Sequence, residues 1–212
     1  MTHGKPTNIA ASVRQRLLNV AKERGEEFQY VLTRYGLERL LYRLSQSEHG
    51  NVFVLKGAAL FQLWTNRPHR PTRDLDLLGY GEPTLNRFEA LLRDVCATDV
   101  DDDGLNFDMD SIVAEQIKEE DEYQGIRLRV VARIQNARIP LQIDVGFGDV
   151  ITPGTEDVTY PTLLDFPPAT IKAYPREDRG CREVSSDGDA GHRQQPHERL
   201  LRPLDTRPAI RL

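Results

Sequence analysis

The segment VFVLKGAALFQLWTNRPHRPTRDLDLL, residues 52–78, joins an apolar run, a glycine turn and an alternating acidic run. Residues 51–55 have the pattern of a short buried strand, and residues 58–64 that of a helix. Gly57 therefore falls at a strand-to-helix turn, where backbone N–H groups and the helix dipole can hold a phosphate. Lys56 either adds a positive charge against a triphosphate or is an ordinary solvated ammonium.

Residues 73–78 alternate between acidic and apolar side chains. In a strand, Leu75 and Leu77 would be buried on one face while Asp74 and Asp76 project together from the other, with their Cα atoms roughly 6.6 Å apart. Two carboxylates at this spacing can bind Mg²⁺, which prefers oxygen ligands and keeps waters or substrate phosphates in its other positions. The pattern predicts a metal site, although a solvated strand face would show the same alternation.

A third carboxylate follows in a predicted hairpin. Residues 126–134 and 139–147 have strand patterns, and residues 135–138 form the turn between them. In the second strand, Asp144 faces away from its apolar neighbours. Together with Asp74 and Asp76, it completes the set of three carboxylates that two-metal nucleotidyl transfer requires, either by binding a metal or by accepting the proton of the attacking hydroxyl.

Three separate motifs resemble those of the AbiEii/AbiGii-type nucleotidyltransferase toxins. They are LKGAAL at 55–60, RPTRDLDLL at 70–78 and LQIDVGFGD at 141–149, and they occur in the family's order. The segment EYQGIR at 122–127 also resembles the family's approach to the hairpin. The resemblance extends from about residue 12 to residue 177.

This resemblance implies an α/β (α+β) polymerase-β-like nucleotidyltransferase fold, with a mixed sheet and flanking helices. It also implies Mg²⁺, a nucleoside triphosphate, a tRNA acceptor and a toxin that a cognate antitoxin neutralises. By the same resemblance, Asp74 and Asp76 are the metal pair, Asp144 is the third carboxylate and Gly57 is the phosphate-turn glycine. Family members often have a second glycine where this chain has Ala58.

The chain departs from the family after residue 177. The family continues with an Ala-Glu-Lys segment and then an Asn-Ser-Arg-x-Lys-Asp segment, whose Lys and Asp belong to the nucleotide site, and neither is present here. Residues 178–212 contain no Lys and no aromatic residue. Codons can be chosen so that a shift of one base restores both motifs, which favours a frameshift near Glu177. A disordered tail is the alternative.

Two other classes of function remain open from the residues alone. A phosphohydrolase or a sugar transferase can also use Asp-x-Asp, although a phosphohydrolase of the haloacid-dehalogenase type would need a hydroxyl residue at the position of Leu78 and would not need the Lys56-Gly57 turn. The third class is a non-catalytic remnant that binds an antitoxin or nucleic acid.

Composition limits these functions. The net charge of -5 over 212 residues argues against a generally basic nucleic-acid binder. Two arginine clusters could still contact triphosphate or RNA: one around the first motif, and one on the hairpin. They comprise Arg67, His69, Arg70 and Arg73, and Arg127, Arg129, Arg133 and Arg138, respectively.

The remaining patterns predict the location and domain organisation. Cys96 and Cys181 form no metal or disulfide spacing, and no apolar run reaches membrane-spanning length, so we expect a cytoplasmic protein. We expect N-terminal helices in residues 1–50, a nucleotidyltransferase core in 51–176 and a disordered or out-of-frame tail in 177–212.

Local signals predict how the scaffold is divided. The N-terminal region should form three short helices, the first capped by Ser12 and the helices joined by Gly25 and Gly36. Residues 84–96 have the pattern of a further amphipathic helix. The acidic run at 99–103 should be a solvated turn, because it lacks the pattern of a calcium loop.

Overall fold

The computed structural model describes residues 8–64, 73–118, 124–149, 151 and 154–175. These residues belong to one compact unit, Met1–Asp178. The predicted tail, the 122–127 motif in part, and Arg67, His69 and Arg70 lie outside the described residues.

The described elements are helices, strands and one 3₁₀ turn. In chain order they are α1 (Ile9–Arg24), α2 (Phe28–Gln46), β1 (Phe53–Lys56), a 3₁₀ turn (Gly57–Leu60), α3 (Phe61–Trp64), β2 (Asp74–Gly79), α4 (Leu85–Ala97), β3 (Asn106–Lys118), β4 (Gln124–Ile134), β5 (Ala137–Gly146), β6 (Glu156–Thr159) and β7 (Thr170–Ala173).

The seven strands form one mixed sheet in the order β3-β4-β5-β2-β1-β7-β6. The predicted hairpin is β4 and β5, which pair in an antiparallel register from Ile134 opposite Ala137 back to Ile126 opposite Val145. β2 pairs in parallel with β5 and antiparallel with β1. The two motif strands are therefore neighbours at the centre of the sheet, and the predicted α+β class is confirmed.

Helices α2 and α4 pack against one face of this centre. Leu40 of α2 and Leu91 of α4 line the same narrow internal space as Leu75 and Leu77 of β2. All four side chains are at most 6% exposed. Burial of each such side chain contributes about 1.5–3 kcal/mol relative to an exposed one. The acidic residues that alternate with Leu75 and Leu77 therefore project from the opposite face.

The N-terminal region forms two helices, so the prediction of three is wrong. Asn8 caps α1 by accepting the Ala11 N–H at 2.9 Å, in place of the expected Ser12. Gly25 ends α1 in the left-handed conformation, as predicted. However, α2 runs through Gly36 without a break. A Cβ at Gly36 would lie 2.9 Å from a Leu141 methyl, so this glycine permits close packing of α2 on β5.

The acidic run at 99–103 is only partly solvated, because Asp103 is 1% exposed. Its carboxylate accepts hydrogen bonds from Arg39 at 3.1 Å and from Arg43 at 2.7 and 3.1 Å. The prediction of a solvated turn is therefore wrong at this residue. A buried charge requires partners, and these come from α2, far away in the sequence.

Strands β3, β6 and β7 were not predicted, whereas α4 begins and ends within one residue of the predicted helix. None of the helices in the described part of the chain is long and apolar enough to cross a membrane.

Candidate active site

The first feature of the site is the pair of carboxylates on β2. Leu75 and Leu77 are 1% and 3% exposed, whereas Asp74 and Asp76 are half-buried on the other face. The alternation in the sequence thus produces the arrangement that the pattern predicted.

The third carboxylate lies on the adjacent strand at the same level. Asp144 of β5 is the direct partner of Asp76, and Gln142 is the partner of Asp74. Side chains of paired residues on neighbouring strands project to the same face, and such strands are about 4.8 Å apart. The three acidic residues, which we call the acidic face, therefore lie side by side.

The electrostatics of Asp76 reflect this crowding. Burial raises the pKa of its carboxyl above the ordinary value, and the negative charges of Asp74 and Asp144 raise this pKa further. The Lys56 ammonium and the Ala58 N–H oppose the shift but do not cancel it. Negative charge is therefore in excess around Asp76. An oxygen-rich, negatively charged site of this kind fits a hard divalent cation.

Asp144 is held by an arginine on the next strand. Arg127 of β4 is its direct partner in the hairpin, and donates from Nε at 2.8 Å and from Nη2 at 2.7 Å. Gln142 adds a longer contact of 3.3 Å. The carboxylate of Asp144 is thus directed toward Arg127. Among the described residues, no three His, Cys, Asp or Glu side chains already surround one point as a metal cage.

The glycine turn packs directly against Asp76. Gly57 has φ = +69°, a conformation that L side chains rarely adopt. A Cβ on Gly57 would collide with the Asp76 carboxylate. The following N–H, that of Ala58, donates a hydrogen bond to Asp76. Residues 57–60 form a 3₁₀ turn before α3, so the expected helix from 58 to 64 is α-helical only from Phe61.

Lys56 lies on the same face, because it is the β1 partner of Asp76. Its Nζ atom is 3.4 Å from Oδ2 of Asp149, which follows β5. Tyr174, which follows β7, donates its hydroxyl to the same Oδ2 at 2.7 Å.

A cavity of about 370 Å³ is lined in part by residues beside the acidic face. Arg73 precedes Asp74, and Gln142 is the strand partner of Asp74; both line the cavity together with Arg129 and the beginning of α2. The volume lies within the range of small-molecule sites. Arg73 is the one member of its predicted cluster that the structure describes.

The hairpin arginines are mostly engaged with acidic side chains. Arg129 contacts Glu115 at 2.7 Å, and Arg133 contacts Asp108 at 3.0 Å, in addition to the Arg127 contact with Asp144. Their charges are therefore largely balanced within the protein, which makes them a poorer general RNA-binding surface than the sequence suggested.

The sequence predicted Arg127 only as a member of the hairpin cluster that could contact triphosphate or RNA, not as the partner of Asp144, and it did not assign Asp149 or Tyr174 to the site. Arg127 could have been found, since placing the hairpin turn at residues 135–136 and counting back pairs it with Asp144. Asp149 is the last residue of the LQIDVGFGD motif at 141–149, but nothing in the sequence indicates that it faces Lys56. Tyr174 carried no signal, because it reaches the site through strand β7, which was not predicted.

The mixed sheet, the glycine turn and the aligned carboxylates define a nucleotidyltransferase-like protein. The model of the family described as nucleotidyl transferase AbiEii toxin, type IV toxin–antitoxin system, matches residues 39–179, more than half of the chain. The chain therefore belongs to the AbiEii nucleotidyltransferase toxin family. The match ends at residue 179, close to the change in composition after Glu177.

Comparisons with solved structures and with curated sequences give less information about the family. The crystal structure of JHP933 from Helicobacter pylori aligns with a TM-score of 0.39 and 15% identity, over 66% of this chain and 50% of that chain. This chain thus spans about half the length of that protein. A search of curated protein sequences gave no match.

Proposed function

We propose that the acidic face is the catalytic centre of a Mg²⁺-dependent transferase, which moves a nucleotide from a nucleoside triphosphate to an RNA acceptor, with tRNA as the acceptor. The observation that carries the proposal is the alignment of Asp76 with Asp144 on adjacent parallel strands, with Asp74 on the same face. A bound metal pair would stabilise the attacking and leaving oxygens of the phosphoryl displacement.

Separate side chains of the acidic face would bind the cations and accept the proton. Asp74 and Asp76 would hold the cations, since they share one strand face and have an excess of negative charge around them. Asp144 would complete this set or accept the proton of the attacking hydroxyl. Gln142, which contacts Asp144 at 3.3 Å, would help to orient it in either role.

The triphosphate would lie at the Lys56 end of the acidic face. Lys56 would balance part of its charge, and Gly57 lets the backbone approach closely. In the structure the Ala58 N–H is bonded to Asp76, so it would become available to phosphate when the carboxylate turns toward a cation. Arg73 would contact the nucleotide or the acceptor from the cavity beside Asp74.

We also propose that this chain, made as written, is impaired. The acidic face is present, but the Lys and Asp of the family's last motif are absent from residues 178–212. Without that Lys, a cation that would offset triphosphate charge is missing. The coding DNA decides between a frameshift and a divergent tail, because only codons that restore both motifs one base away agree with the frameshift.

Transfer assays with labelled nucleoside triphosphates and bulk tRNA test both proposals. We expect little or no incorporation by the chain as written, and Mg²⁺-dependent incorporation by a version with the reading frame restored. Asp76→Asn in the restored version should abolish this signal. Robust incorporation by the chain as written would contradict impairment. A folded, restored version without activity on any of the four triphosphates would contradict the nucleotidyltransferase assignment.

The phosphohydrolase alternative is less well supported. Leu78, at the position where such an enzyme would need a hydroxyl, is 1% exposed and belongs to the core. The close packing of Gly57 against Asp76 also has no part in that chemistry. A non-catalytic remnant would instead bind its partner without responding to Mg²⁺ and triphosphate, and a thermal shift with these ligands separates the two cases.

A further inference from the structure

Lys56 is held in place by a closed ring of contacts rather than left free in solvent. Its Nζ atom contacts Oδ2 of Asp149 at 3.4 Å, and Tyr174 donates its hydroxyl to the same oxygen at 2.7 Å. The backbone N–H of Tyr174 donates in turn to the carbonyl of Leu55 at 3.0 Å. Leu55 directly precedes Lys56, so the ring returns to its starting point.

Gly146 leaves the space that the Lys56 ammonium group occupies. A Cβ at Gly146 would lie 2.6 Å from Nζ of Lys56, so any larger residue there would displace the amine. The side chain of Asp149 is 9% exposed, whereas that of Lys56 is 27% exposed. The anchoring carboxylate is therefore mostly buried, while the amine retains access to a ligand.

The contacts are distributed in a way that suits a binding cation. Lys56 lies between Asp149 and Asp76, whose pKa its charge lowers. Asp149 also accepts the hydrogen bond of the Tyr174 hydroxyl, so the Lys56 ammonium is not the sole partner of this carboxylate. Asp149 can therefore orient the ammonium and still leave it available to a ligand. A free lysine side chain has about 2 kcal/mol of rotamer entropy, and prior fixation removes part of this cost from ligand binding.

We propose that Asp149 and Tyr174 are positioning residues, which hold the Lys56 ammonium at the end of the acidic face for the triphosphate. This inference rests on the proposed function, since it assigns the ligand of Lys56 as the triphosphate group. Tyr174 acts through Asp149, and Asp149 acts through Lys56. Neither residue needs to touch the substrate.

The first test measures triphosphate binding by calorimetry, using the α,β-methylene analogues of ATP, CTP, GTP and UTP with Mg²⁺. For the analogue that binds best, we expect Tyr174→Phe to weaken binding about fivefold and Lys56→Met about tenfold or more. In the double variant the loss should equal that of Lys56→Met alone, because Tyr174 has no lysine left to orient. Tyr80→Phe, at an exposed tyrosine, is the matched control and should bind as the unaltered chain does.

These outcomes distinguish the positioning role of Tyr174 from the proposed function. Additive losses in the double variant, or unchanged binding by Tyr174→Phe, would overturn the positioning role while leaving the proposed function intact. If only the version with the restored reading frame binds an analogue, the same variants are compared in that version. If neither version binds any of the four analogues, both the proposed function and this inference are contradicted.

The second test reads the position of Lys56 without any nucleotide. Competitive acetylation followed by mass spectrometry compares Lys56 with the exposed Lys22 in the same sample. We expect Asp149→Asn to raise the relative reactivity of Lys56 about threefold or more, because the amine loses the carboxylate that shields it. Asp157→Asn, at an exposed aspartate on β6, should leave the ratio unchanged. Equal ratios in both variants would overturn the role of Asp149.

Discussion

Asp76 and Asp144 are direct partners on the adjacent parallel strands β2 and β5, and Arg127 is the partner of Asp144 on the other side. One row across the sheet thus carries Lys56, Asp76, Asp144 and Arg127. Two acidic residues stand between two basic ones. A cation added to this row would relieve repulsion between the carboxylates and compete with the flanking basic groups.

Asp76→Asn should weaken Mn²⁺ binding about tenfold or more. The negative charges of both Asp74 and Asp144 act on Asp76, and its replacement by Asn removes both a ligand oxygen and a charge. Calorimetric titration with Mn²⁺ measures the change. Asp157→Asn, at an exposed position on β6, is the matched control and should titrate as the unaltered chain does. Equal Mn²⁺ affinity in the two variants would remove Asp76 from the cation site.

Arg127→Gln should tighten Mn²⁺ binding several-fold in the absence of nucleotide. The guanidinium holds both oxygens of Asp144, so its removal frees the carboxylate and eliminates a nearby positive charge. Arg129→Gln is the matched control, because Arg129 lies two residues further along β4 and contacts Glu115 instead. Weaker Mn²⁺ binding by Arg127→Gln would mean that the arginine orients the carboxylate more than it competes with the cation.

Gly57→Ala should abolish Mn²⁺ binding and also destabilise the fold, whereas Gly148→Ala should only destabilise it. Both glycines have positive φ, at +69° and +83°, so both substitutions incur a backbone cost of about 1–2 kcal/mol. A Cβ at Gly148 meets nothing within 4 Å, but one at Gly57 collides with Asp76. Urea unfolding and Mn²⁺ titration separate the effects. Unaltered Mn²⁺ affinity in Gly57→Ala would show that the turn does not support the acidic face.

Stability should fall as the pH rises from about 4.5 to about 7, because of Glu38. Burial raises the pKa of this carboxyl to about 7 from 4.5, although the Leu163 N–H and Arg39 oppose the shift. The folded state therefore binds the proton more tightly than the unfolded state, and the advantage is lost as Glu38 ionises. Above pH 7 the loss is on the order of 1–3 kcal/mol.

Glu38→Gln should remove this pH dependence and raise the free energy of unfolding at pH 8. Urea unfolding at several pH values measures both effects. Glu48→Gln is the control, since the Glu48 side chain is 87% exposed and should leave the pH profile unchanged. The same slope of stability with pH in Glu38→Gln as in the unaltered chain would contradict the role given to Glu38.

The sequence predicts the parts of the site that depend on local periodicity. Alternation along β2 and β5 fixes which face Asp74, Asp76 and Asp144 occupy, because a strand has a period of two. The hairpin turn fixes the pairing of β4 with β5. These features follow from neighbours in the chain, and the structure agrees with them.

Other features depend on partners that are distant in the chain. Asp103 was expected to be solvated, but Arg39 and Arg43 of α2 pair with it in the interior. Gly36 was expected to end a helix, whereas close packing of α2 on β5 explains why a glycine stands within it. In both cases tertiary packing overrides the local signal. The contact of Lys56 with Asp149 likewise depends on how the chain returns to the sheet after β5.

The central claim is that the three remote carboxylates bind divalent cations together. Anomalous diffraction from crystals grown with Mn²⁺ and an α,β-methylene triphosphate locates the manganese directly. We expect manganese peaks within bonding distance of the carboxylate oxygens of Asp74 and Asp76, with Asp144 turned from Arg127 toward the same ions. Ordered manganese bound elsewhere, with the acidic face empty, would contradict the claim.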